Sequence, residues 1–153
     1  MKSSAKTIEV RVERLIPAEA GRVFDAWLDP QVPGTTWNAA EELILEPKEK
    51  GLFYWLLQGT AHYGRFTEVR RPHRLRHTWM SPNTHGVETH VTVEFKPKGS
   101  ETLMTIVHSG LPDTEQARGH EWGWTYFTGL FREQFGDGSR AKFSWEDAQR
   151  GKK

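Results

Sequence analysis

Cysteine is absent from this chain of 153 residues, which excludes disulfides, thiolate metal sites, cysteine nucleophiles and thiol redox chemistry together. An excess of one charge is lacking as well: 21 basic side chains stand against 20 acidic ones, for a formal net charge of +1. A balance that close creates no field able to gather nucleic acid or an anionic membrane, so no nucleic-acid partner is expected. No apolar run approaches the length of a membrane span, and residues Met1 to Val12 alternate polar and apolar instead of forming a signal sequence. Cytoplasm is the expected compartment. No glycine-rich phosphate loop, Gly-x-Ser-x-Gly elbow or serine paired with a histidine is readable, so neither cofactor nor nucleophile is implied.

What the chain does have is large flat side chains. Seven Trp and eight Phe occur in a sequence whose other residues are strongly polar, so the apolar mass is concentrated in rings that something must surround. The length suits one domain that buries roughly two-thirds of its unfolded surface. We read that domain as residues 1–136, followed by a polar tail over 137–153 in which Phe143 and Trp145 are the large apolar residues.

Periodicity gives the element order. Ile8, Val10 and Val12 alternate with charges in a strand over Thr7–Ile16. Pro17 ends it and suits the first turn of a helix over Ala18–Asp29, where Ala20, Val23, Phe24, Trp27 and Leu28 form one stripe. Gln31–Thr36 is a bend or very short helix. Six further strands are predicted at Leu43–Pro47, Leu52–Leu57, His62–Arg71, Arg74–Met80, Val87–Phe95 and Glu101–His108, all joined by hairpin-length turns. Ser109–Pro112 is expected to break the last of them. Asp113 and Gln116 resemble a capping box opening a long helix over Glu115–Phe135. Gly119, Gly123 and Gly129 interrupt that helix at a cost of roughly 1 kcal/mol each relative to alanine, and so call for a packing or ligand reason.

Strand, helix, short helix, six strands and long helix make an α+β domain whose dry sheet face has one partner large enough to cover it, the C-terminal helix. Several segments in the right order resemble a known family: Ile16-Pro-Ala18, Val23-Phe-Asp-Ala-Trp27, Asp29-Pro30, Trp37, Gly64 through Leu75, His77-Thr-Trp79, Val91 through Phe95, Thr102, His108-Ser-Gly-Leu111 and Gly123-Trp124. Over residues 8 to 135 the chain is similar to START-like SRPBCC proteins, in the branch of the heat-shock-protein ATPase activator homologues. The resemblance implies a helix-grip fold, a curved antiparallel sheet of about seven strands wrapped around the long helix. It also implies a cavity between them, although the superfamily places carriers, cyclases and oxygenase subunits on one scaffold.

If the sheet curls around the helix, a ligand wall is expected from Trp37, Phe53, Trp55, Tyr63, His77, Trp79, Met104, Ile106, His108, His120, Trp124, Phe127 and Phe131. The bland alternative is that these rings fill a core. The expected partner is a small hydrophobic or amphipathic molecule, oriented by a few polar groups. A chaperone contact is implied by the branch, a homodimer is open to exposed strand edges and the Phe143–Trp145 tail, and His108, His120 or Tyr63 offer acid–base groups to a cofactor-free cyclase or hydrolase. No metal site is expected: His120-Glu121 has Trp124 where a zinc-protease motif needs its second histidine. Glu42, Glu46, Glu68 and Glu88 read as solvent-face charge, and the Arg70–Arg76 cluster as a solvated turn.

Overall fold

The computed structural model describes residues 6–135; the polar tail, with Phe143 and Trp145, lies outside the described residues. Seven antiparallel strands form one sheet: β1 (Thr7–Ile16), β2 (Glu42–Leu45), β3 (Leu52–Leu57), β4 (Thr60–Arg70), β5 (Arg74–Trp79), β6 (Thr89–Lys98) and β7 (Glu101–Pro112). Their order is β1-β7-β6-β5-β4-β3-β2. Strands β1 and β2 are therefore the two edges. Helices α1 (Ala20–Trp27) and α2 (Thr36–Ala39) carry the chain from one edge to the other, and α3 (Glu115–Arg118) and α4 (His120–Glu133) close the chain order. The long helix covers the concave face of a curved sheet, as the sequence predicts.

Local chemistry explains most boundaries. Thr35 caps α2 by accepting the Asn38 N–H at 3.1 Å. The turn at Gln58-Gly59 gives β3 and β4 a two-residue hairpin, with both turn residues at positive φ. Strand β6 runs to Lys98 through a two-residue Gly99-Ser100 turn, so Pro97 lies inside the ladder opposite Thr102.

Two expectations are corrected. Strand β7 does not break at Ser109: it continues to Pro112 because β1 remains beside it, pairing Ile8 with Leu111 and Thr7 with Pro112. The long helix is two helices, separated at Gly119, and its start is capped by Thr114, whose hydroxyl accepts the Ala117 N–H at 3.1 Å. Asp113 instead takes Arg118 at 2.5 Å and Lys6 at 3.5 Å.

Between sheet and helices lies a core that includes Ile16, Val23, Phe66, Val91, Ile106 and Phe131, all fully buried. Each such side chain contributes about 1.5–3 kcal/mol by leaving water. The connection from α1 to α2 packs against α4 so closely that a Cβ on Gly34, at φ +95°, would collide with the Phe131 backbone. Helix α4 presents Trp124, Phe127, Thr128 and Phe131 inward at steps of three and four. It is tied to β1 by Arg14, which donates to the Thr125 carbonyl at 2.8 Å, and by Arg132, which donates to the Leu15 carbonyl at 3.0 Å.

Candidate functional site

Register decides which strand residues face α4. Trp55 lies opposite His62 and Phe53 opposite Gly64, and directly paired residues share a face. His62, Gly64 and Phe66 therefore point inward from β4, and Tyr63 points out. Tyr63 is 43% exposed and borders a separate depression of about 350 Å³ on the outer face, with Ile44 and Leu52. Gly64 is required where it stands, because a Cβ there would run into the Thr78 carbonyl oxygen and the Phe53 ring.

The inner face holds a cavity of about 460 Å³ between β3, β4, β5 and α4, within the range of small-molecule sites. Trp79 is at its centre, with its ring centroid 5.8 Å from Trp55, 5.3 Å from His62 and 5.2 Å from Trp124. Trp55 and His62 stack at 4.1 Å and 13°. Phe127 and the stacked pair Trp122 and Tyr126 extend the wall along α4. Exposed Gln58, Asn83, Glu115 and Gln116 mark where the cavity meets solvent, on hairpin tips and α3. Among the lining residues Glu115 is the one carboxylate, and no Lys or Arg is present.

Gly123 also lines this cavity, and a Cβ built on it would meet no atom within 4 Å apart from its neighbours and its own helix backbone. Among the described residues no contact demands glycine there.

Of the thirteen residues expected to form a ligand wall, Trp55, Trp79, His120, Trp124 and Phe127 border the cavity. Trp37, Phe53, His77, Met104, Ile106, His108 and Phe131 are buried behind it in the core; Trp37 is anchored there by its N–H to the Trp27 carbonyl at 3.1 Å. Tyr63 is on the opposite face. His62, Thr36, Leu57 and the α4 pair Trp122 and Tyr126 are wall residues that periodicity did not single out.

Hydrogen bonding and burial hold His108, His120 and His77 neutral. The Trp124 indole N–H donates to His108 Nδ1 at 3.1 Å, so the His108 proton sits on Nε2 and is given to Thr89 Oγ1 at 2.7 Å. Thr89 passes its own proton to the Trp79 carbonyl at 2.7 Å. A second proton on His108 would set two donors face to face, and burial together with the nearby imidazoles of His120, His77 and His90 holds its pKa well below the usual value. His120 is arranged the other way round: Nδ1 donates to the Ala117 carbonyl at 2.8 Å, and Nε2 receives the Trp79 indole N–H at 3.3 Å. Its pKa is also lowered by burial. His77 donates to the Thr78 carbonyl at 2.9 Å and is pushed down to about 4 by desolvation.

His62 differs from these three. Burial, with a smaller contribution from His120, lowers its pKa to about 4, partly offset by the Thr60 and Trp55 backbone carbonyls. Yet its Nδ1 has no hydrogen bond of good geometry, and the same is true of Trp55 Nε1 and Thr36 Oγ1. All three residues line the cavity and are at least nine-tenths buried. A buried polar atom without a partner costs about 1–3 kcal/mol, and these three atoms are closed off from the cavity surface as well. Trp27 Nε1 is unpaired too, but its ring packs on Phe131 at 5.1 Å, away from the cavity.

The charged groups stay on the outside. Glu68 pairs with Arg70 at 3.4 Å and Arg74 at 3.1 Å, and Arg71 with Asp25 at 2.7 Å. Among the described residues no cluster of three or more His, Asp or Glu could hold a metal ion, and no helix is long and apolar enough to cross a membrane.

A curved antiparallel sheet gripping one long helix over an aromatic cavity defines a helix-grip protein. Within that class the chain belongs to the family described as Activator of Hsp90 ATPase homolog 1-like protein, whose model matches residues 17–136. No curated protein sequence matches it. Among solved structures it is similar to DynU16, from the dynemicin biosynthetic locus, at TM-score 0.72 and 22% identity over 88% of this chain, which spans 49% of that one. It is similar to an HSP90 activator, PFC0360w, from Plasmodium falciparum at TM-score 0.66 and 20% identity, covering 80% of this chain and 92% of that one. The Aha1 dimer of Colwellia psychrerythraea gives TM-score 0.70 and 11% identity, covering 86% and 98%. At these identities the likeness is one of fold.

Proposed function

We propose that the protein binds a small hydrophobic or amphipathic molecule in the cavity between its sheet and α4. The observation that carries this reading is Gly123. A glycine inside a helix is unfavourable by about 1 kcal/mol, and here it stands beside the ring-walled space, where among the described residues a Cβ would meet no side chain. The need for room is a reason for that residue. A cytoplasmic setting suits a chain without cysteine.

Acid–base catalysis draws less support. Both ring nitrogens of His108 and both of His120 are engaged within the protein, and Tyr63 faces outward. The test is a thermal-shift screen of the purified chain against hydrophobic and amphipathic compounds, with native mass spectrometry of material as isolated. A ligand at 100 times its Kd adds about 2.7 kcal/mol of stability. A screen in which no compound raises Tm, on protein that carries no copurified small molecule, rules the reading out.

A second reading follows from the family description and from the Plasmodium relative, described as an HSP90 activator: regulation of a chaperone ATPase, with self-association through a strand edge as a further option. Adding the chain to an Hsp90 ATPase assay decides it, since unchanged turnover at saturating protein leaves that reading without support.

A further inference from the structure

We infer that the cavity selects an aromatic amine in its ammonium form, with the ring system enclosed between the sheet and α4 and the cationic head held at the mouth beside Glu115. The inference rests on the reading that the cavity encloses a small molecule. It adds the charge of that molecule and which end of it meets solvent.

Three observations carry it. First, Trp55, Trp79, Trp122, Trp124, Tyr126 and Phe127 line the cavity, with Leu57 as the one branched aliphatic side chain among them. Aromatic faces carry partial negative charge, so they stack on a flat guest and favour a cation near them over an anion. Second, the lining offers no positive charge. Among the described residues no Lys or Arg borders the cavity, His120 has both ring nitrogens engaged as a neutral imidazole, and burial lowers His62 to about 4. An anionic guest would lose its hydration without gaining a cation. Third, the one lining carboxylate is free to act as a counter-charge. Glu115 is exposed and has no ion-pair or hydrogen-bond partner among the described residues, while the neighbouring Arg118 is taken by Asp113. Helical backbone bonds run through the junction of α3 and α4, from the Gly119 N–H to the Glu115 carbonyl and from the Gly123 N–H to the Gly119 carbonyl, each at 3.1 Å. Glu115, Gly119, Trp122 and Tyr126 therefore follow one another along a single helical stripe, which begins with a carboxylate in solvent and continues into half-buried rings. At the β3–β4 tip, Glu41 accepts the Gln58 N–H at 3.0 Å, so a second carboxylate stands beside another residue of the mouth. A head group placed there keeps part of its hydration, which avoids the cost of burying an ammonium outright.

The test uses the whole 153-residue chain and three probes of similar shape at neutral pH and low salt: 2-naphthylmethylamine, which is an ammonium ion there, the neutral 2-naphthalenemethanol and the anionic 2-naphthoate, titrated by calorimetry. We expect the amine to bind about ten-fold tighter than the alcohol, as one half-exposed ion pair and a cation beside rings imply, and the naphthoate to bind weakest. Added salt should shrink the advantage of the amine. Glu115→Gln should remove most of that advantage and leave the affinity for the alcohol unchanged, which also shows that the variant is folded. Glu115→Lys should reverse the order, so that naphthoate binds tighter than the amine; a carboxylate that merely supports the start of α3 would produce no such reversal. Equal binding of amine and alcohol, or an amine preference that survives both substitutions, overturns the inference and leaves an aromatic cavity in place. Tightest binding of naphthoate to the parent chain overturns it as well. If none of the three binds, the enclosed-guest reading falls, and the charge assignment with it.

Discussion

The Trp124 indole N–H points at His108 Nδ1 at 3.1 Å across the interface between α4 and β7, and this one bond sets the protonation state of the imidazole. Trp124→Phe keeps an aromatic ring on α4 but removes the indole N–H and its five-membered ring, leaving Nδ1 buried without a donor. A loss of about 1–3 kcal/mol follows from that unpaired acceptor. Urea denaturation of the two proteins measures it. Equal midpoints would mean that the bond contributes nothing.

Acid should destabilise the protein, and the sign follows from the histidines. His62 and His77 have folded pKa values of about 4, below the ordinary 6.5 of the unfolded chain, and His108 and His120 are lowered in the same direction. Below pH 6.5 the unfolded chain binds protons that the folded chain refuses. Stability is thus complete above the unfolded value, falls as pH drops from about 6.5 toward 4, and levels off once the folded imidazoles also protonate. The slope is at most about 1.4 kcal/mol per pH unit for each histidine. Urea midpoints taken across that window should decline well above the carboxylate range. A flat profile down to the onset of carboxylate protonation would sink this account.

The β3–β4 hairpin shows how much of the site was legible in advance. Once Gln58-Gly59 is read as a two-residue turn, Trp55 must oppose His62 and Phe53 must oppose Gly64, as they do. Since Trp55 belongs inside, so does His62, and Tyr63 is excluded by the same step. That arithmetic was available from the residues, but reading β4 alone left its parity open and put Tyr63 on the wall. The depth of each ring was not available. His77, Met104, Ile106 and His108 share the inward parity of Trp79, yet they sit in the core because α1, α2 and α4 cover them. Sheet curvature and the crossing of α1 and α2 between the two edges decide core against wall, and no local pattern encodes either. The continuation of β7 past Ser109 was hidden for a similar reason: its support is β1, about a hundred residues away in the chain.

Two glycines should respond to alanine in opposite directions. Gly34→Ala places a methyl group on the Phe131 backbone at a position with φ +95°, so strain and collision together should cost about 2–3 kcal/mol or more. Gly123→Ala adds a methyl group where nothing lies within 4 Å and should stabilise α4 by about 0.5–1 kcal/mol. Thermal denaturation of the pair distinguishes them. Similar losses in both would show that α4 does not leave the space beside Gly123 open.

A larger side chain at the same place separates stability from function. Gly123→Leu adds four carbons at a position that lines the cavity, beside the volume assigned to the guest. Because the Cβ meets no neighbour there, the fold should survive with a Tm within a few degrees of the parent chain, a change of about 1 kcal/mol or less. Affinity for any ligand found by the thermal-shift screen should fall by more than about ten-fold, since a rigid interior does not yield to an added side chain. Gly129→Leu is the control, because Gly129 faces Arg14 on β1 and not the cavity. If both variants bind as the parent does, the guest sits elsewhere; if Gly123→Leu alone loses binding while it remains folded, the cavity beside α4 is where the molecule is held.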